Sequence, residues 1–150
     1  MGIGTSSPAN KLDVNGDVRI TDGTAHKRVF VREVPSASSE IVVEIGPFQS
    51  FRANMLKVKA AWRLGSSTAA RYVSAELATY AASSAVDDVY LRPFNVVENP
   101  PNEAITFSET DPKSLNILIK ISSSSSLTAP LLEIETLTYS TIDIVSITTD

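Results

Sequence analysis

Residues 56–64 read Leu56-Lys57-Val58-Lys59-Ala60-Ala61-Trp62-Arg63-Leu64. Leu56, Val58, Ala60, Trp62 and Leu64 share one side of a strict alternation, and Lys57, Lys59, Ala61 and Arg63 share the other. Period 2 with one apolar side is the pattern of a strand that buries one face and wets the other, as antiparallel sheets commonly do. Trp62 lies on the apolar side, so a core position is expected for it ahead of a receptor contact. Gly65-Ser66-Ser67 closes the strand.

The same pattern recurs on both sides of this stretch. Upstream, Val29 and Val31 alternate with Phe30 and Arg32. Ile41, Val43 and Ile45 alternate with Val42 and Glu44 until Gly46-Pro47 stops the run. Downstream, residues 69–82 fit either a strand (Val73, Ala75, Leu77, Thr79) or a helix stripe (Val73, Leu77, Tyr80, Ala81). Alanine content favours the helix, but the β context favours a strand. Pro93 forbids a regular central strand over 88–97 and points to an edge strand, bulge or break. Ala104 to Ser108, then Leu115, Ile117, Ile119 and Ile121, read as two further strands. Ser122–Ser126 reads as a flexible low-complexity tip. Leu132, Ile134 and Thr136 oppose Glu133 and Glu135, and Ile142 and Ile144 oppose Asp143 and Val145. Eight or nine short strands with turn residues between them predict an all-β chain, an antiparallel sandwich or jelly roll.

The N-terminal stretch reads Gly2-Ile-Gly-Thr-Ser-Ser-Pro-Ala-Asn-Lys-Leu-Asp-Val-Asn-Gly-Asp-Val-Arg-Ile20. Leu12 and Val14 alternate before Asn15-Gly16, and Val18 and Ile20 alternate after it. Asn-Gly is a strong signal for a tight hairpin turn. The expectation is a small hairpin with Leu12, Val14, Val18 and Ile20 on one apolar face. A two-stranded hairpin is marginal alone, so that face needs partners from this chain or from other copies. Residues 21–27, with a turn at Asp22-Gly23, read as a linker between a stalk (1–25) and a head (26–150).

Gly2, Ile3, Gly4, Thr5, Pro8, Lys11, Leu12, Val14, Gly16, Val18 and Arg19 resemble, position by position, a segment of bacteriophage tail-fibre and tail-spike proteins and of related phage-derived adhesins. That resemblance covers residues 2–19 and does not extend over the head. It implies a trimeric β stalk in which Leu12, Val14, Val18 and Ile20 pack together. It also implies a head at the distal end of a fibre on the virion. Met1 stands directly before the segment, and the resemblance implies a longer shaft upstream. Symmetry frequencies alone favour a dimer; the trimer is implied by the resemblance.

Composition narrows the chemistry. The chain has 150 residues, 43% of them hydrophobic, a formal charge of −4 and no cysteine. That length fits one domain with a real core. Disulfides, thiolate metal sites and cysteine nucleophiles are excluded. The mild acidity gives no electrostatic footprint for nucleic acid. No apolar run approaches the roughly 20 residues of a membrane helix, so no membrane insertion is expected.

Motifs for catalysis are sparse. His26 is the only histidine, and it stands beside Lys27 and Arg28 in the expected linker. A Ser-His-Asp triad has no Gly-x-Ser-x-Gly elbow to support it. Three copies of His26 around an axis would be a metal site; an exposed linker histidine is the plainer reading. Glycoside hydrolysis needs two carboxyl groups facing each other across a cleft. Asp87 and Asp88 are adjacent and would point to opposite faces of a strand. Glu133 and Glu135 share a face, read as solvent-facing charges that discourage edge pairing. Asp13 and Asp17 flank the Asn15-Gly16 turn without a calcium-loop pattern. Gly2-Ile3-Gly4 lacks the rest of a phosphate loop.

The sequence therefore predicts no enzyme, no cofactor and no metal. The resemblance to tail fibres implies attachment to a host cell-surface glycan or outer-membrane protein through several non-catalytic sites held by one rigid trimer. Loops and irregular stretches on a rigid sandwich are where such contacts live. The candidate contacts are Asp87, Asp88, Tyr90, Arg92, Asn95, Asn99 and Asn102; for each, a domain edge or subunit interface is the plainer reading. The alternatives are a structural spacer or trimerisation domain, a polysaccharide-degrading spike and a bacterial adhesin.

Overall fold

The computed structural model describes residues 2–3, 13–14, 16–48, 53–64, 70–81, 89–99, 103–109, 115–139 and 141–150. Twelve strands and no helix occur among the described residues. In chain order they are β1 (Gly2–Ile3), β2 (Asp13–Val14), β3 (Val18–Asp22), β4 (Ala25–Glu33), β5 (Glu40–Gly46) and β6 (Ala53–Leu64). There follow β7 (Ala70–Ala81), β8 (Val89–Asn99), β9 (Ala104–Glu109), β10 (Ile117–Ser122), β11 (Leu127–Thr138) and β12 (Asp143–Thr149).

Ten of these strands form two antiparallel sheets. One has six strands in the order β3-β4-β11-β6-β7-β8, and the other has four in the order β12-β5-β10-β9. The first two strands form a separate parallel pair, Gly2 with Asp13 and Ile3 with Val14. The chain changes sheet repeatedly: β5 leaves β4's sheet, β6 returns, and β11 comes back late to lie between β4 and β6. That late insertion ties the N-terminal and middle strands into one core. The all-β sandwich expected from the alternation is what forms.

The two inner faces supply the core. Leu56, Val58, Trp62, Val73, Leu77, Leu132 and Ile134 of the larger sheet are at most 2% exposed. They meet Ile41, Val43, Ile45, Ile117, Ile119 and Ile121 of the smaller sheet, each 0–1% exposed. Such a side chain contributes roughly 1.5–3 kcal/mol when withdrawn from water. The smaller sheet's inner face is dominated by Val and Ile, whose branched Cβ suits a pleated surface. Ala60 and Ala75 provide the short positions on the larger sheet's inner face, near Trp62.

Residues 70–81 are strand β7, matching the strand reading over the helical one. Each of its apolar inner residues meets a β6 partner, Leu77 opposite Leu56 and Val73 opposite Ala60. Tertiary burial outweighs alanine propensity here. Pro93 lies on β8, an outermost strand, opposite Leu77, and the register slips close by, between Ser74 and Glu76 of β7. An edge with a bulge is the place where a missing N–H costs least.

Other expectations are corrected. Val18–Asp22 does not return onto Asp13–Val14. It pairs with β4 through a two-residue turn at Gly23 and Thr24, with Asp22 opposite Ala25. Gly23 has φ +58°, a conformation glycine adopts at no steric cost. The second turn signal, Asp22-Gly23, therefore makes the hairpin. Residues 21–27 are strand and turn, and His26 belongs to β4. Leu12 lies outside the described residues. The 122–126 loop is tied down: Ser123 is 8% exposed, and its N–H donates to the Ser39 carbonyl at 2.9 Å. Glu133 and Glu135 lie on β11, which is central in the sheet, so protection of an edge is not their role.

Candidate functional site

The larger sheet presents a distinct outer face. Registers across it define rows of neighbours. Glu33, Leu131, Ala61 and Tyr72 form one row, and Val31, Glu133, Lys59, Ser74 and Val97 the next. Val18, Val29, Glu135, Lys57, Glu76 and Phe94 form a third. Ile20, Lys27, Leu137, Met55 and Ala78 form a fourth.

The middle of this face is a ladder of ion pairs. Lys59 Nζ donates to Glu133 at 2.7 Å, Lys57 lies 3.1 Å from Glu76, and Lys27 lies 2.9 Å from Glu135. The hydrogen bond to Glu133 holds the Lys59 ammonium above its ordinary pKa. These are cross-strand pairs on a wet surface, each contributing at most about 1 kcal/mol.

Aliphatic side chains surround the ladder. Val31 is 51% exposed, Met55 46%, Leu131 52% and Leu137 49%. Val18 and Ile20, two of the four residues expected to pack a stalk, also point outward here, at 39% and 60%. Two of the shallow grooves that result lie beside the ion pairs. One, about 370 Å³, runs between Leu131 and Tyr72 over Ala61, with Lys59, Ser74 and Glu133 alongside. The other, about 210 Å³, lies between Met55 and Leu137 beside Lys57, Glu76 and Glu135.

Sequence reasoning placed Glu133 and Glu135 on a wet face but missed Leu131 and Leu137 as members of it. The signal was present: both share the odd-numbered parity of the two glutamates. Met55 likewise shares the parity of Lys57 and Lys59.

A second polar cluster joins the sheets. Arg28 and Arg32 lie on the inner side of β4 on either side of Phe30, with guanidinium carbons 4.6 and 5.9 Å from its ring centroid. Arg32 holds Asp17 in a two-point bond at 2.5 and 2.9 Å, and that bond raises the Arg32 pKa. Arg28 donates to Asp143 at 2.6 Å and to the Ile142 carbonyl, next to β12 of the smaller sheet. This cluster locks the segment entering β3 against both sheets. His26 is half-buried beside it. Arg19 donates to His26 Nδ1 at 3.0 Å, so that nitrogen is an acceptor and the ring proton is on Nε2.

Of the residues expected to contact a receptor, Asp87, Asp88 and Asn102 lie outside the described residues. Tyr90, Arg92, Asn95 and Asn99 all belong to edge strand β8, of which the backbone is described at these positions. The structure thus brings those four onto one sheet edge. Their neighbours Phe94, Val96 and Val97 are exposed at 36–44%. Val14, expected in the stalk packing, is on β2.

Trp62 is 2% exposed and belongs to the core. No group of three or more His, Asp or Glu side chains suited to a metal ion occurs among the described residues.

No protein-family model and no curated protein matches the sequence. Among solved structures that match are two phage tailspike proteins. The tailspike protein gp49 of Acinetobacter baumannii bacteriophage Fri1, a capsular polysaccharide depolymerase, superimposes with a TM-score of 0.53 at 13% identity. The match covers 86% of this chain and 21% of that one. The tailspike protein of Acinetobacter phage vB_ApiP_P1 matches with a TM-score of 0.40 at 16% identity, over 95% of this chain and 25% of that one. At these identities the likeness is one of fold. The chain spans about a quarter or less of the length of either protein. The first of them is an enzyme, and this overturns the sequence-based expectation of a protein without catalysis.

Proposed function

We propose that this chain is a domain of a bacteriophage tail spike or fibre, working as a homotrimer on a host cell-surface polysaccharide. The observation that carries the reading is the fold likeness over 86% of the chain to part of a phage tailspike depolymerase. The resemblance of residues 2–19 to a segment of phage tail-fibre and tail-spike proteins supports the same reading. In this reading residues 1–25 are the shaft-side piece and 26–150 the head, joined through β3 and β4. The domain stands at the distal end of the tail. Asp87, Asp88, Tyr90, Arg92, Asn95, Asn99 and Asn102 form the polysaccharide contact. Four of them on one outermost strand, with no further strand covering it among the described residues, favour that edge.

The test is incubation of the purified protein with capsular polysaccharides from a panel of Gram-negative hosts. Two readouts are needed: retention of polysaccharide on immobilised protein, and new reducing ends in solution. Retention of at least one capsule is expected, weakened by Arg92→Ala and Tyr90→Ala. No retention and no reducing ends with any capsule would overturn the reading.

A second reading is favoured by the half-exposed aliphatic residues of the larger sheet. The domain would then be chiefly an assembly module, with recognition elsewhere on the spike. A protein that assembles but retains no capsule would favour this one.

A further inference from the structure

We infer that the outer face of the six-stranded sheet is where copies of this chain meet one another. The core of the contact is Val18, Ile20, Val31, Met55, Leu131 and Leu137, with the lysine–glutamate ladder running through it.

Three observations carry the assignment to a second copy. The first is charge. In the three ladder rows, Lys27, Lys57 and Lys59 balance Glu76, Glu133 and Glu135, on a chain whose net charge is −4. Most of these groups are still 38–49% exposed after pairing within the chain. A neutral face of alternating sign has no net attraction for an anionic polysaccharide or a basic partner. Against a copy of itself it sets ammonium groups beside carboxylates, and shifted registers retain such contacts. Complementarity of this kind selects partner and register.

The second is the chemistry of the apolar groups. Among the described large hydrophobic residues of the sheet's interior strands, the four most exposed are aliphatic: Val31, Met55, Leu131 and Leu137. These side chains bury well against each other and offer no flat ring for a sugar; the exposed rings of this face, Tyr72 and Tyr139, lie at the margins of the aliphatic group.

The third is continuity and size. Val18 and Ile20, next to the shaft-like segment, extend the same face without a break, because β3 is the outermost strand of this sheet. Strands about 4.8 Å apart and rows about 7 Å apart give the face on the order of 600 Å². A standard interface buries about 800 Å² per partner.

The number of copies, three, belongs to the function proposed above; the identity of the face does not depend on it. The inference is tested by sedimentation of the whole protein and of three single variants. Wild type is expected at a multiple of the 16.1 kDa chain mass. Leu131→Glu and Leu137→Glu are expected at one chain mass with unchanged circular dichroism, since both side chains are about half exposed in the single chain. Val145→Glu, 54% exposed on the smaller sheet, is expected to keep the wild-type mass. A mass of two chains that falls to one in the Leu variants upholds the face and sinks the trimer. A monomeric wild type, or Leu131→Glu and Leu137→Glu both sedimenting like wild type, would overturn the inference. Loss of capsule retention in a variant of a monomeric wild type would assign the face to polysaccharide instead. Assembly without capsule retention would leave this inference standing and remove the functional one.

Discussion

The two sheets share one core and differ on their outer faces. The six-stranded sheet shows water Val31, Met55, Tyr72, Leu131 and Leu137 around its ion pairs. The four-stranded sheet turns outward Glu44, Thr106, Ser108, Lys120, Ser146 and Thr148, with Val42 and Leu118 half-buried among them. Among the described residues, Val145 is the one large hydrophobic more than a third exposed on that smaller sheet. Folding a single chain explains both inner faces and neither outer one. An ordinary wet face needs only mostly polar positions, and on the smaller sheet the outward aliphatics Val42 and Leu118 are half-buried rather than exposed. The additional leucines, valine and methionine on the larger sheet indicate a face made for covering.

Substitutions on either side of one strand sharpen this contrast most strongly. On β11, Ile134→Ala removes a fully buried side chain and is expected to cost about 2–5 kcal/mol in denaturant unfolding. Leu131→Glu, on the other side of the same strand, is expected to change single-chain stability by no more than about 0.5 kcal/mol while abolishing assembly. A similar loss of folding stability from both would mean that the outer face is covered within the chain.

The joint between the sheets comes next. Arg28→Ala removes donors from Asp143 and the Ile142 carbonyl and the cation over Phe30. A cost of about 1–3 kcal/mol is expected, with faster amide exchange in β3 and β12. Unchanged exchange in both strands would remove the joint from the account.

Smaller effects separate the two faces by their ion pairs. Lys59→Ala breaks a pair on the larger sheet, and Lys120→Ala breaks its pair with Glu40 on the smaller. Each should cost the folded single chain less than about 1 kcal/mol, and less still in high salt. Only Lys59→Ala should alter the assembly's dependence on salt. Equal responses would contradict a functional difference between the faces.

The smallest effect lies at the end of the chain. Asp150 accepts from the Ser39 hydroxyl at 2.6 Å, the Ser39 N–H at 3.0 Å and the Glu40 N–H at 2.8 Å, which hold its carboxyl well below the usual 3.8. A depressed carboxylate contributes stability above its unfolded pKa and loses it as pH falls toward the folded one. Amide protection at the ends of β5 and β12 should be constant above about pH 5 and decline below about pH 4. Asp150→Asn should remove that decline.

Much of this was legible in the sequence. Strict alternation over 56–64, 41–45 and 117–121 gave the strands and their inner faces, because period 2 leaves only one way to bury an apolar side; Leu115, expected on the same face, precedes β10 with φ +53° and is not part of the strand. Pairing partners were harder to read. Asn15-Gly16 and Asp22-Gly23 are both good turns, and only the second closes a hairpin, since β3 gains a long partner in β4 and β2 offers two residues. The outer face was also half-legible. The parity of Leu131, Leu137 and Met55 put them among charged neighbours, but parity does not say which rows adjoin. That follows from β11 entering late between β4 and β6, a long-range pairing no local pattern reveals. Of the expected contact residues, Tyr90, Arg92 and Asn95 flank Pro93, and the edge position of β8 is the physical form of that irregularity.

The claim that the larger sheet's outer face is covered by other copies has one direct test. The chain has no cysteine, so Leu131→Cys and Val145→Cys each introduce a single thiol. Maleimide labelling is followed as protein concentration rises through the association range. The account predicts that labelling at position 131 slows with concentration, whereas labelling at 145 stays constant. Equal rates at both positions at every concentration would contradict it.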